Sequence, residues 1–195
     1  SVESDGAVRM RYGVTNAGAA RLPFIWSSHP LIALTPDTQI VLPDGAPTRV
    51  YAQHRVDIFG AGAEHRWPRM RTPEGPEINL ARPDTAAKRY ACKIFLDMPE
   101  GRAAIRQAGA ELECTWDVKD VPNFGLWINR GGWSPFRRKR AYMNLAFEPC
   151  IGAPDTLADA LGDWRAAHWL EVGETRRWEL VWRGRRLGPD LAPDE

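Results

Sequence analysis

Two stretches of the chain place an ionisable side chain directly before a proline. His29 precedes Pro30 in FIWSSHPLIAL, and Glu148 precedes Pro149 in MNLAFEPCIGAPD. A residue before proline is biased toward extended backbone, which restrains the direction of its side chain. An imidazole and a carboxylate with pKa values near working pH can exchange protons with a substrate. The two residues are therefore candidates for acid/base chemistry. For each alone, a hydrogen-bonded core histidine or a surface glutamate is the simpler interpretation.

The residues around Glu148 predict a strand with two different faces. Alternation sends Leu145 and Phe147 to one face, and Asn144 and Glu148 to the other. Glu148 then shares its side with polar and small residues, as the wall of a pocket would.

A third stretch, FGLWINRGGWSP, has a composition that suits sugar recognition. Trp127 and Trp133 lie beside Asn129 in a chain with nine tryptophans. Aromatic rings stack on the apolar faces of sugars, and amide groups bind hydroxyls. The alternative is that most of these tryptophans fill the space between two sheets.

Composition excludes several classes of function. Lys plus Arg number 26 against 25 for Asp plus Glu, so the chain lacks the basic excess typical of nucleic-acid binding. The basic cluster RRKR at 137–140 is interpreted as a solvated loop. No apolar run approaches the roughly 20 residues that span a bilayer, and the first residues do not resemble a signal peptide. We expect no nucleic-acid or membrane partner.

The cysteines indicate a reducing compartment. Cys92, Cys114 and Cys150 are odd in number, far apart and without a CxxC pair. We therefore expect free thiols and a cytoplasmic location.

Short runs rich in β-branched and aromatic residues predict an all-β domain that positions these side chains. The runs, bounded by Gly, Pro, Asp and Asn, are AVRMRYGVTN, RLPFIWSSHP, TQIVLP, TRVYAQ, KRYACKIFLD, AELECTWD, FGLWIN, MNLAFEP and RRWELVWRGR. Their spacing is that of a sandwich or barrel. One short helix is predicted at 154–167, with Leu157, Ala160, Leu161 and Trp164 on one face. We expect one domain over 1–187 and a tail over 188–195.

Several of these segments resemble a known family when taken in order. YGVTNAGAARLPFIWSSHPLIAL, FGLWINRGGW, NLAFEPCIGAPDTLADA and WLEVGETRRWELVW resemble the later part of the aldose 1-epimerase, or galactose mutarotase-like, family. The resemblance covers nearly the whole chain. It implies a β-supersandwich of large antiparallel sheets stacked face to face, with a sugar site in a shallow cleft. It also implies that an N-terminal portion of the family domain would precede Ser1.

The resemblance implies a reaction and roles for two residues. The family interconverts the α and β anomers of an aldose, a small-molecule sugar, by opening and closing its ring. The family's base lies in the EP....PD segment and corresponds to Glu148, and its acid lies in the HP segment and corresponds to His29. Acid/base ring opening needs no cofactor, so we expect none.

The chain also departs from the family pattern. The family has a further sugar-binding histidine and arginine, which would lie upstream of this sequence. In ACKIF, Lys93 stands where a sugar-binding aspartate is expected. Our candidate substrate-binding residues are Lys93, Trp127, Asn129 and Trp133. A non-catalytic sugar-binding domain of the same fold and a structural fragment remain alternatives.

Two other site chemistries are weaker. His54, Asp57, Glu64 and His65 are possible ligands within a turn-rich hairpin, but their spacing matches no metal motif, and we expect no metal. A glycosidase would need a second carboxylate facing Glu148. The nearest one, on Asp155, is predicted to begin the helix instead.

Overall fold

A computed structural model describes residues 1–3, 6–55, 59–60, 64–73, 77–83, 89–136 and 142–188. Within these ranges the chain forms sixteen strands and one short helix. In chain order they are β1 Val8–Thr15, β2 Leu22–Phe24, β3 Trp26–Ser27, β4 Leu31–Ala33, β5 Gln39–Val41, β6 Pro47–His54, β7 Glu64–Arg66, β8 Arg69–Met70, β9 Ile78–Asn79, β10 Ala91–Leu96, β11 Arg102–Gln107, β12 Ala110–Trp116, β13 Asn123–Arg130, β14 Met143–Ile151, α1 Leu157–Leu161, β15 His168–Leu170 and β16 Thr175–Arg186. The predicted all-β class is confirmed.

The strands form two antiparallel sheets and a small ribbon. The large sheet runs in the order β3-β14-β13-β10-β6-β7-β8-β9, and β4 also pairs with β14. The second sheet runs in the order β1-β16-β12-β11-β5, and β15 pairs with β2. Non-consecutive strands are neighbours in both sheets, so the pairings depend on contacts between distant parts of the chain.

The hydrophobic core lies between the two sheets. Leu145 and Phe147 of β14 pack in one buried cluster with Trp178 and Leu180 of β16. Each such side chain, once removed from water, contributes about 1.5–3 kcal/mol. The predicted face-to-face sandwich is confirmed, and the face predicted for Leu145 and Phe147 is the core face.

The opposite face of the large sheet, which we call the site face, presents Glu148. Four residues form one row across it, because Glu148 lies opposite Gly125, Gly125 opposite Phe95, and Phe95 opposite Arg49. This row crosses β14, β13, β10 and β6 in turn. It fixes the positions from which the functional side chains project.

The run RLPFIWSSHP is not the single strand that its composition predicts. Leu22–Phe24 pairs with β15 in the ribbon, whereas Trp26–Ser27 pairs with the end of β14 in the large sheet. His29 lies just beyond Trp26–Ser27, outside any strand. The two segments pair with different strands that are distant in sequence, and local composition does not predict that division.

The helix is shorter than the predicted 154–167. It spans Leu157–Leu161, and the side chain of Thr156 caps it by accepting a hydrogen bond from the backbone N–H of Asp159. Gly162 ends it, with its N–H bonded to the carbonyl of Ala158. The prediction extended the helix through this glycine, which is poorly suited to a helix interior.

Some predictions concern residues outside the described ranges. These are the RRKR cluster at 137–140, Asp57, and residues 189–195 of the predicted tail. The division into a domain and a tail remains a prediction.

The three thiols lie within the described residues. Cys92, Cys114 and Cys150 are buried and unpaired, as predicted. Burial raises the pKa of Cys92 and of Cys150 to about 12. Among the described residues, no helix has the length and apolar character needed to cross a membrane.

Candidate acid/base site

Glu148 is a buried carboxylate held by a buried lysine. It stands late in β14 with 2% of its surface exposed, and Lys93 of β10 is 3% exposed. Lys93 Nζ donates to Glu148 Oε2, and Ser27 Oγ donates to the same oxygen at 3.3 Å. A buried charge is tolerated when it is paired and hydrogen-bonded, and Oε2 meets both conditions.

The second oxygen of Glu148 is free to accept a hydrogen bond. Oε1 lies 3.3 Å from His29 Nε2, but it has no hydrogen-bond partner within the described part of the chain. The His29 side chain is 49% exposed. His29 is therefore not a core histidine, and its ring stands at the mouth of the site beside an unsatisfied acceptor.

Asp155 belongs to the same site, which corrects its predicted place at the start of the helix. Its Oδ1 lies 2.9 Å from Lys93 Nζ, and its side chain is 49% exposed. The helix cap is Thr156 instead. One ammonium group thus contacts two carboxylates, one buried and one facing solvent.

A cavity of about 250 Å³, which we call the acid/base pocket, opens beside these groups. Ser27, His29, Glu148 and Asp155 line it together with the ring of Phe95. A polar cluster next to an aromatic wall in a concave site is typical of small-ligand binding.

Burial is the main influence on the protonation of Glu148. It raises the pKa of this carboxyl above its ordinary value, and nearby Asp155 raises it further. The positive charge of Lys93, its hydrogen bond and the neighbouring His29 oppose that rise in pKa. A carboxyl whose pKa is raised toward neutrality is better matched to general-base catalysis than an ordinary surface glutamate.

This raised pKa predicts a pH-dependent contribution to stability. The folded state binds the Glu148 proton more tightly than the unfolded state, so the contribution is full below the ordinary pKa and is lost as pH rises through the folded pKa. We expect the free energy of unfolding of the wild type to fall relative to Glu148→Gln as pH rises from 4 to 8. The fall should be about 1.4 kcal/mol per unit by which the pKa is raised. Urea unfolding of both proteins across this range measures it, and a constant difference between them would contradict it.

Gly125 creates the space in which the Lys93–Glu148 pair meets. A Cβ at this position would lie 2.9 Å from Lys93 Cε and 3.2 Å from Phe95 Cε1. Both distances are shorter than normal van der Waals contact. Glycine inside a strand often marks such a close approach.

We expect Gly125→Ala to lower the free energy of unfolding by about 1–3 kcal/mol, because the added methyl displaces Lys93 or Phe95. Gly184→Ala is the matched control, since Gly184 also lies in a strand, and a Cβ added there would have no atom within 4 Å. That control should be neutral or slightly stabilising. Denaturant midpoints decide the comparison, and equal effects at the two positions would rule out the crowding argument.

Lys93, a predicted substrate-binding residue, is occupied by Glu148 and Asp155. The sequence did not predict Lys93 as the counter-ion of Glu148 or Asp155 as a site residue. One signal was present, because Gly125 interrupts an otherwise bulky strand between Lys93 and Glu148 in the sheet. Strand order was needed to interpret it.

The other predicted substrate-binding residues lie further along the site face. The rings of Trp127 and Trp133 are 5.8 Å apart, and the His54 ring is 5.8 Å from that of Trp127. Asn129 is fully buried, donates to the carbonyl of Trp133 and accepts from its N–H. Asn129 therefore shapes the loop that carries Trp133. Trp127 is two residues from Gly125 along β13, or roughly 7 Å.

The described candidate metal ligands do not converge. His65 of β7 pairs with Thr48 of β6, and Thr48 and His54 pair with β10 residues five positions apart, or roughly 17 Å. Among the residues that the structure describes, no group of three or more His, Cys, Asp or Glu side chains could hold a metal ion. Asp57 is outside those residues.

Comparison with known proteins identifies the fold. No family model matches the chain, and no curated protein is similar to it at a significant level. A proposed aldose 1-epimerase from Escherichia coli K12 has a TM-score of 0.59 and 21% identity, over 93% of this chain and 57% of that one. A galactose mutarotase-like protein from Lactobacillus casei ATCC 334 has a TM-score of 0.54 and 18% identity, over 91% and 58%.

The same architecture also occurs within a larger protein. A TPR-domain containing protein from Parabacteroides distasonis ATCC 8503 has a TM-score of 0.64 and 15% identity, over 99% of this chain and 30% of that one. The chain thus spans between about a third and three fifths of the length of these structures. The fold is that of the galactose mutarotase-like sandwiches, and at these identities the likeness extends to the fold alone.

Proposed function

We propose that this chain interconverts the α and β anomers of an aldose, with Glu148 as the base and His29 as the acid. The observation that carries the proposal is Glu148 Oε1, a buried acceptor without a hydrogen-bond partner among the described residues, 3.3 Å from His29 Nε2 at the acid/base pocket. Buried polar atoms are normally hydrogen-bonded. An exception beside a half-exposed histidine suits an atom that receives a substrate proton.

The contact between Glu148 and His29 supports proton exchange with two oxygens of the sugar, the hydroxyl on the anomeric carbon and the ring oxygen. Glu148 Oε1 takes the proton of the hydroxyl on the anomeric carbon, and the electron pair left on that oxygen forms a carbonyl. The bond from the anomeric carbon to the ring oxygen breaks, and that oxygen receives a proton from protonated His29. Both oxygens are bonded to the same carbon, so two catalytic groups in contact with each other can address both. Rotation of the aldehyde and the reverse transfers give the other anomer.

Lys93 and Asp155 accommodate the change of charge on Glu148. While Glu148 is ionised, Lys93 pairs with its Oε2 and stabilises the buried negative charge. When Glu148 takes up a proton, Lys93 retains a negative partner in Asp155 at 2.9 Å. The ammonium is therefore never left without a counter-charge.

The aromatic residues of the site face are the proposed sugar contacts. Phe95 lines the acid/base pocket, and Trp127 and Trp133 lie further along the same face. Ring faces of this kind stack on the apolar face of a pyranose. Asn129 contributes by holding the Trp133 loop.

The experiment is the relaxation of optical rotation in fresh solutions of single anomers of galactose, glucose, xylose and arabinose. The wild type should accelerate relaxation of at least one sugar, with saturation. His29→Gln should lower that acceleration about 10²–10⁴-fold. His168→Gln, which changes a half-buried histidine of the ribbon, is the matched control and should retain activity. Spontaneous rates with every sugar, or an active His29→Gln, would contradict the proposal.

A non-catalytic sugar-binding domain is the second candidate. The observation that favours it is the ion pair with Lys93, which already engages one oxygen of the proposed base. It predicts saturable calorimetric binding of a sugar without faster anomer exchange.

A further inference from the structure

A second, larger cavity adjoins the acid/base pocket and is unused by the proposed reaction. This cavity, which we call the end groove, has a volume of about 950 Å³ and lies along one end of the large sheet. It passes the start of β6, the end of β10, the start of β13 and the turn after β14. Phe95 lines both cavities, so its ring borders the two spaces.

The cross-strand row on the site face gives the distance between Glu148 and the end groove. Arg49 lies in the groove and in the same cross-strand row as Glu148, three strands away. Three strand spacings amount to roughly 14 Å. This spacing between the backbones of Glu148 and Arg49 exceeds the width of one sugar ring. Further residues of a glycan chain can reach Arg49.

The lining of the end groove has the chemistry of a glycan site. The guanidinium of Arg49 lies 4.0 Å from the centroid of Trp164, and the Trp164 ring is 5.2 Å from Phe95. Half-buried Asn123 and exposed Asp97 line the same space. Of these two rings, Trp164 is half-buried and Phe95 is buried. Flat polar groups beside a partly exposed aromatic ring bind sugar hydroxyls and a sugar face together.

The charges of the end groove indicate a neutral ligand. Among its described lining residues, four arginines face four carboxylates, namely Arg49, Arg66, Arg69 and Arg71 against Asp44, Glu64, Glu77 and Asp97. Arg69 is already paired with Glu77, at 3.2 Å. A polyanion would require a clear excess of positive charge, which these lining residues do not supply.

We infer that the end groove binds the following residues of a neutral oligosaccharide whose reducing end lies in the acid/base pocket. This inference rests on the proposed function, because that function places the reducing end of the oligosaccharide at Glu148. The substrate is then the reducing end of a short glycan, and a free monosaccharide fills only the smaller cavity.

The test is a chain-length series of one to four residues, with maltose-type and β-1,4-galactan-type oligosaccharides as the two probes. We expect calorimetric affinity in one series to rise at least about tenfold between one and four residues, or about 1.4 kcal/mol. The rate of anomer exchange at the reducing end, followed by NMR, should show the same rise in kcat/KM. Equal affinity for all lengths, or no binding in either series, would overturn the inference.

Substitution at Arg49 localises the effect. In Arg49→Ala, the ratio of tetrasaccharide to monosaccharide affinity should fall about tenfold, because the guanidinium that covers Trp164 is lost. Arg177→Ala, which changes an exposed arginine of the second sheet, is the matched control and should keep the wild-type ratio. An unchanged ratio in Arg49→Ala would also overturn the inference.

The two proposals fail in different ways. Stronger binding of longer chains without anomer exchange would remove the proposed function and keep the end groove as a glycan site. Anomer exchange with no dependence on chain length would keep the proposed function and remove the end groove.

Discussion

Glu148→Gln is expected to lower kcat for anomer interconversion about 10²–10⁴-fold, the usual contribution of a positioned general base. Glutamine preserves the shape of the side chain and can still accept hydrogen bonds from Lys93 and Ser27. It cannot take up the hydroxyl proton at neutral pH. KM should change much less than kcat, because the sugar contacts remain. The initial rate of change of optical rotation measures both constants.

Glu113→Gln is the matched control for this substitution. Glu113 lies in β12 of the second sheet and pairs with Arg102 at 2.6 Å. The same chemical change there should leave the activity intact. A Glu148→Gln protein with wild-type kcat would remove Glu148 from the catalytic role.

Lys93→Met is expected to lower the free energy of unfolding by about 3 kcal/mol at pH 7. The substitution leaves Glu148, which is 2% exposed, buried beside solvent-facing His29 but without its ammonium partner. The folded protein must then either bury an unpaired carboxylate or protonate it. The cost of protonation shrinks as pH falls toward the ordinary pKa of a glutamate, so the destabilisation should be much smaller at pH 5 than at pH 7.

The double variant Lys93→Met/Glu148→Gln separates this cause from a simple packing defect. Removal of both charges should recover most of the lost stability, because no unpaired charge from this pair remains in the interior. Urea unfolding of the wild type, the two single variants and the double variant gives the coupling energy between the residues. A double variant as unstable as Lys93→Met, or a loss that is independent of pH, would show that the pairing of charges is not the cause.

The all-β class was predictable because strand signals are local, whereas the stacking of large sheets was implied by the family resemblance. Period-two alternation in MNLAFEP assigned Leu145 and Phe147 to the core and Glu148 to the opposite face, as the structure has them. Alternation is a property of one strand and needs no partner. The division of RLPFIWSSHP between the ribbon and the large sheet was not predictable, because each half is held by a distant strand.

The candidate site was predictable in part for the same reason. His29 and Glu148 are marked in the sequence because each directly precedes a proline. The structure brings His29 Nε2 and Glu148 Oε1 to 3.3 Å from each other. The counter-ion could not be assigned, because Lys93 reaches Glu148 across Gly125 of an intervening strand. Such a contact depends on strand order, which local sequence patterns do not determine.

We propose that the acid/base pocket opens and closes the ring of a sugar. Two-dimensional exchange NMR of an equilibrated aldose measures this directly, as transfer of magnetisation between the α and β anomeric protons. We expect exchange cross-peaks that grow with protein concentration, saturate with sugar and are lost in Glu148→Gln. Exchange at the spontaneous rate for galactose, glucose, xylose and arabinose alike, with the protein folded, would contradict it.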